Sequence, residues 1–143
     1  MALNINFRGI RAEELLFKQN NIKIEKDAKL DLKPTFARKS KSVSTNANLH
    51  FITLEVKIES TPELLKPFDL KVALTGIFEC AINDDKERKE LLVSAEKIIY
   101  PYLRTAVTSL TSTAFINPII LPVVSNSLFK ENNIDDTQSG TFS

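Results

Sequence analysis

Few side chains in this sequence are placed to do covalent chemistry. The chain holds one histidine, His50, and one cysteine, Cys80. His50 heads an alternating run, HFITLEVKIE, that reads as a strand, and no nucleophile stands beside it to complete a triad. Cys80 follows Ile77 and Phe78 at the end of a second apolar run, where burial raises a thiol pKa and blunts its reactivity. One cysteine and one histidine supply neither an internal disulfide nor the usual zinc ligand set, which fits a reducing compartment. Asp84, Asp85 and Glu87 gather carboxylates, but no glycine-bearing calcium loop follows, and Lys86, Arg88 and Lys89 oppose their charge. A solvated helix start accounts for them. Three glycines, Gly9, Gly76 and Gly140, are too scattered to cradle a phosphate. Arg38, Lys39 and Lys41 form a small basic cluster without interleaved aromatics, as a solvated loop does. The reading therefore assigns no catalytic residue, no metal and no cofactor, and leaves binding as the function to look for.

The elements that must carry such a surface fit one domain, since 143 residues divided in two would leave two poor cores. Hydrophobic residues make up 43% and charged residues 26%, the balance of a folded globule. Nineteen basic against eighteen acidic residues give a net charge of +1, which offers no global attraction to nucleic acid or anionic lipid. No apolar run approaches the roughly 20 residues needed to span a bilayer, so no membrane insertion is expected. MALNINFRGI alternates where a signal segment would be continuously apolar, and a cytoplasmic protein is expected. Residues 1–130 read as the domain, and 131–143, ENNIDDTQSGTFS, as a disordered polar tail.

Along the chain, Leu3, Ile5 and Phe7 alternate with polar residues, and the strand continues irregularly from Ile10 to Gln19, where Leu15, Leu16 and Phe17 break the pattern and call for a bulge. Asn20 to Ala28 reads as a crossing loop. Leu30 and Leu32 suggest a short strand weakened by Pro34, and ARKSKSVSTNAN, from Ala37 to Asn48, is turn-like. Ile52, Leu54, Val56 and Ile58 define the clearest strand, and Phe68, Leu70, Val72 and Leu74 its antiparallel partner. Gly76 is expected to bulge or bend that second strand near Ile77 and Phe78. Asp84 or Asp85 then caps a helix whose apolar face, Leu92, Ala95, Ile99, Tyr102, Ala106 and Leu110, runs to about Thr113, with Pro101 starting or kinking it. This face is wider than one small sheet can cover, so Ile99, Tyr102, Ala106 and Leu110 are candidate subunit contacts in a dimer or tetramer. Ala114 to Val124 is an aliphatic stretch that Pro118 and Pro122 keep out of a regular helix, and Ser125 is positioned to cap a short helix through Lys130.

Ile98-Ile99-Tyr100-Pro101-Tyr102-Leu103-Arg104, followed by Thr108, Ser109, Leu110 and Ser112, resembles the long-helix motif of the SecB protein-export chaperone family. KLDL at Lys29 to Leu32, LHFITLEVKIES, PFDLKVALTGIF and ILPVVSNSLF resemble further family segments in the same order, over residues 4–130. The resemblance implies an α+β fold: a four-stranded antiparallel sheet with two helices packed on one face, assembled as a homotetramer, a dimer of dimers. It also implies an ATP-independent holdase that takes unfolded or precursor polypeptides into apolar grooves. Its groove would be lined by Ile22 and Ile24 of the crossing loop, by Phe68 and Phe78, and by Phe115, Ile119 and Ile120. Its partners would include the SecA motor, or else one dedicated client such as an antitoxin; a non-chaperone ligand-binding or structural oligomer is the further alternative. Two departures stand out. Lys18 and Lys71 fall where the family carries the acidic residues that dock SecA, and the chain has no tryptophan for the crossing loop.

Overall fold

The computed structural model describes residues 3–21, 32–43, 46–123 and 129. Its elements are β1 (Asn6–Gln19), β2 (Thr35–Val43), β3 (Asn46–Ile58), β4 (Phe68–Glu79) and α1 (Asp85–Thr113). The strands form one antiparallel sheet in the order β1-β4-β3-β2, with β1 and β2 at its edges. The period of two in the sequence sets which face is covered. Ile52, Leu54, Val56 and Ile58 of β3 and Phe68, Leu70, Val72, Leu74 and Phe78 of β4 all point toward α1 and are buried. Leu91, Leu92, Ala95, Ile99, Leu103 and Val107 come down onto them from the helix.

Several local expectations change. β1 carries register shifts between Phe7 and Gly9 and between Ala12 and Glu14, so the irregularity precedes Leu15. The stretch expected to be turn-like holds most of β2 and the first residues of β3, and the two strands pair in unbroken register from Thr35 to Ser42. β2 escaped the alternation test because after Phe36 its inward residues are polar: Arg38, Ser40 and Ser42 face the helix side, where Arg38 meets Glu96 at 2.9 Å and Ser40 accepts from Arg88 at 2.9 Å. Leu32, Lys33 and Pro34 belong to no strand; residues 29–31, like the crossing loop at 22–28, lie outside the described residues.

Gly76 does not bulge. Pairing runs through it without a shift on both sides, and the even-numbered residues keep their inward phase from Phe68 to Phe78. The glycine is needed for space, because a Cβ there would stand 2.7 Å from Phe78 Cε2 and 2.8 Å from Ile99 Cδ1. The helix thus packs directly on bare backbone at this point.

Asp84 is the N-cap: its Oδ1 accepts from the Glu87 amide at 2.8 Å, while Glu87 Oε1 accepts from the Asn83 amide. Pro101 lies inside the helix with its ring exposed, so it does not begin the helix. The buried stripe is also rotated from the one read off the sequence. After Ile99 it continues through Leu103, Val107 and Thr111, and Tyr102, Ala106 and Leu110 lie beside it. At the C-terminus the Phe115 amide donates to Ser112 O and the Ile116 amide to Thr111 O, the paired bonds of a Schellman cap. Phe115 takes the left-handed position at φ 62°, where glycine is the usual residue, at a cost of about 1 kcal/mol. One helix is present among the described residues; the second, expected over 125–130, falls almost wholly outside them.

Candidate functional site

Because the buried stripe of α1 turns toward β3 and β4, its neighbouring stripe is left facing the edge strand β1 across a gap. That gap is a groove of about 670 Å³. Ile10, Ala12 and Leu15 form one wall, Tyr102, Ala106 and Leu110 the other, and Leu74 the floor. Leu15 is 54% and Tyr102 49% exposed, so both walls present apolar surface to solvent. Phe7 bridges from the core to the groove, its ring 5.3 Å from Phe78 and 6.5 Å from Tyr102. The one charged lining residue, Arg11, is engaged elsewhere: its Nε donates to Glu13 at 2.6 Å and its guanidinium lies over Phe51. What the groove offers a ligand is desolvation and shape, with no charge selectivity.

A second apolar surface lies at the end of α1. Residues 116–122 run back along the helix and are held by its side chains, while Phe115, Ile120 and Val123 stand 96%, 73% and 75% exposed. Thr108 Oγ1 donates to Ile119 O, the Ile119 amide donates to Thr111 Oγ1, Arg104 Nε donates to Leu121 O and the Tyr100 hydroxyl donates to Pro122 O. Burial pushes the Tyr100 hydroxyl above its usual range, against a smaller opposing pull from Arg104, which keeps it a donor.

The residues named from the sequence scatter over these surfaces. Phe115 and Ile120 are exposed, and Ile119 is half-buried with its main chain tied down. Phe68 is buried and stacks on Phe17 at 5.1 Å, and Phe78 is wholly buried. Both belong to the core of the chain, since even-numbered β4 residues point at the helix. Ile99 is likewise wholly buried, against the Gly76 backbone, which takes it out of reach of a neighbouring subunit. Tyr102, Ala106 and Leu110 sit together in the groove wall. Ile22 and Ile24 lie outside the described residues. Sequence reading missed Ile10, Ala12 and Leu15; the signal was the broken alternation around Leu15, which marks where β1 presents leucine to solvent.

The groups that could have carried chemistry are built into the scaffold. His50 Nε2 lies 3.0 Å from Cys80 O and so donates to it, leaving Nδ1 to accept from Ser42 Oγ at 3.3 Å. Cys80 is buried, and desolvation, with Glu87 and Glu90 adding to it, pushes its thiol up. On the outer sheet face Lys71 lies between Glu14 at 3.0 Å and Glu55 at 3.8 Å, and Lys18 stands opposite Asp69 in the β1–β4 register. No grouping of three or more potential metal-ligating His, Cys, Asp or Glu residues occurs among the described residues, and none of their helices is long and apolar enough to cross a membrane.

A four-stranded antiparallel sheet with a long helix across one face and an open apolar groove at the sheet edge defines an α+β scaffold. The chain belongs to the SecB family: the family model described as preprotein translocase subunit SecB matches residues 6–135. It is 27% identical over 96 residues to the protein-export protein SecB of Anaplasma phagocytophilum, covering 64% of this chain and 61% of that one. It is 27% identical over 99 residues to that of Anaplasma marginale, covering 68% of this chain and 54% of the relative. The match thus spans less than two thirds of the length of these relatives. In three dimensions the chain resembles the SecB-like chaperone of Mycobacterium tuberculosis, solved in complex with a ChAD peptide from the HigA1 antitoxin, with a TM-score of 0.64 at 14% identity over 85% of this chain and 88% of that one. A Streptococcus agalactiae protein of unknown function shares the fold at a TM-score of 0.55 and 10% identity.

Proposed function

We infer that this chain is a chaperone of the holdase type, which binds unfolded or precursor polypeptides by their apolar segments without using ATP. The carrying observation is the groove between β1 and α1, open to solvent yet walled by Leu15, Tyr102, Ala106 and Leu110. Unfolded chains expose apolar side chains that native proteins hide, and each leucine- or phenylalanine-sized group buried in such a groove contributes roughly 1.5–3 kcal/mol. Two or three such groups give useful affinity without sequence selectivity. Exposed Phe115, Ile120 and Val123 extend the apolar surface past the end of the helix. The same reading makes the protein a cytoplasmic homotetramer, with delivery of precursors to the export machinery as a second, separate step that SecA association tests. The test is suppression of aggregation of several unrelated denatured proteins, with and without ATP. Protection of none of them at stoichiometric amounts refutes general holdase activity.

The antitoxin-bound relative favours a second reading, a chaperone dedicated to one partner chain. It separates from the first in the same assay, since a dedicated chaperone protects one client and leaves unrelated ones to aggregate. The outer sheet face bears on SecA docking. Lys71 there is held charged by the adjacent carboxylates, with the hydrogen bond to Glu14 the largest influence. With Lys71 between Glu14 and Glu55 and Lys18 opposite Asp69, this face mixes charges where a SecA-docking surface would be acidic, so weak or no association with SecA is expected.

A further inference from the structure

One stripe of helix α1, distinct from the groove wall, is covered by the segment of the chain that follows the helix. Tyr100, Arg104, Thr108 and Thr111 fall at steps of four, four and three, so they share one stripe of the helix. Each of them bonds to the main chain of the segment that follows the helix. Their partners run in reverse order, Pro122 O, Leu121 O, Ile119 O and the Ile119 amide, which lays the segment antiparallel to α1. These four bonds read carbonyls and one amide, groups that any extended polypeptide offers. Among the segment's side chains Leu121 goes deepest, 5% exposed in the core cluster with Ile116 and Ile119 partly buried against it, while Ile120 is 73% exposed. The segment leaves the helix through Phe115 at φ 62°, a conformation that a residue with a Cβ adopts at a cost and escapes when the segment lifts.

From this we propose that residues 116–122 are a displaceable strap over a main-chain-reading site on α1, and that an extended apolar segment of a bound polypeptide takes its place. The incoming chain presents its own carbonyls to Tyr100, Arg104 and Thr108 and puts an aliphatic side chain into the slot of Leu121. The strap then competes with clients, and the released Ile119 and Leu121 add to the apolar surface near the groove. The inference rests on the peptide-binding reading above and adds to it a second site with a built-in competitor.

The test uses the full chain and reduced, carboxymethylated lactalbumin as a permanently unfolded probe. Hydrogen exchange is followed at the Ile119 amide, which Thr111 Oγ1 accepts. Saturating probe is expected to speed exchange at Ile119 by about tenfold or more, as strap opening becomes the populated state, while amides of Leu103 and Val107 in α1 keep their protection. Leu121→Ala, which empties the slot, is expected to tighten probe binding roughly three- to tenfold because less of the protein is self-occupied. Binding of the probe with Ile119 exchange unchanged or slowed overturns the strap and leaves the groove reading intact. Failure of the probe to bind at all overturns both. Should Leu121→Ala fail to fold, the exchange measurement on the unaltered chain decides alone.

Discussion

Leu15→Asn tests the groove with little damage to the fold. Leu15 lies on the inward phase of β1 but is 54% exposed, so the free protein has already buried only about half of it. A bound polypeptide that covers the rest gains about 1 kcal/mol from the leucine. With asparagine of nearly the same size, that gain disappears and desolvating the amide adds about 1 kcal/mol. The sum, about 2 kcal/mol, corresponds to a loss of roughly 30-fold in affinity. Folding stability should fall by no more than about 1 kcal/mol, because the removed contacts are those of a half-exposed side chain. Fluorescence anisotropy of a labelled unfolded polypeptide gives the affinity, and a thermal melt by circular dichroism gives the stability. An affinity within twofold of the unaltered protein, in a variant that melts normally, refutes the assignment of this groove to client binding.

Gly76→Ala places a methyl group within 3 Å of Phe78 and Ile99 and should cost about 1–3 kcal/mol by overpacking, read as a lower denaturant midpoint; a neutral result would mean that α1 does not rest on bare backbone there. Glu96→Ala removes the carboxylate that Arg38 meets at 2.9 Å in a buried setting and should destabilise by about 3 kcal/mol, whereas Arg38→Met combined with Glu96→Leu should recover most of the loss in the same unfolding assay. Tyr100→Phe should cost about 1 kcal/mol near pH 8 through the lost bond to Pro122 O. Because burial raises the Tyr100 hydroxyl above its ordinary 10.0, the unfolded chain releases that proton first, and the original protein loses stability as pH rises beyond about 10. The phenylalanine variant has no such loss, so the gap between the two should close in alkaline urea melts. Cys80, buried with its thiol pushed up, should react with maleimide only as fast as the protein opens, and rapid labelling of the native protein would contradict its placement.

Much of the scaffold was legible because its determinants are local. Ile52 to Ile58 and Phe68 to Leu74 alternate cleanly, and a half-buried strand has no other way to place its apolar side chains. The helix start was legible for the same reason: Asp84 supplies the cap oxygen within three residues of the amide it satisfies. β2 was invisible because its inward side chains are satisfied by Glu96 and Arg88, more than forty residues away, and polar residues that find distant partners look like loop in a local window.

The candidate site divides along the same line. Composition and motif, read on their own, pointed to apolar binding, to the aliphatic character of residues 114–124 and to the helix that carries Tyr102. They could not say which apolar residues would remain at the surface, since Phe78, Ile99 and Leu15 are alike in hydrophobicity and differ only in what is packed on them. Gly76 lets α1 sink onto β4, which closes over Phe78 and Ile99; the same approach turns Tyr102, Ala106 and Leu110 toward β1 and leaves Leu15 half in water. Exposure is a property of how two elements dock, and docking depends on residues that only the folded chain brings together.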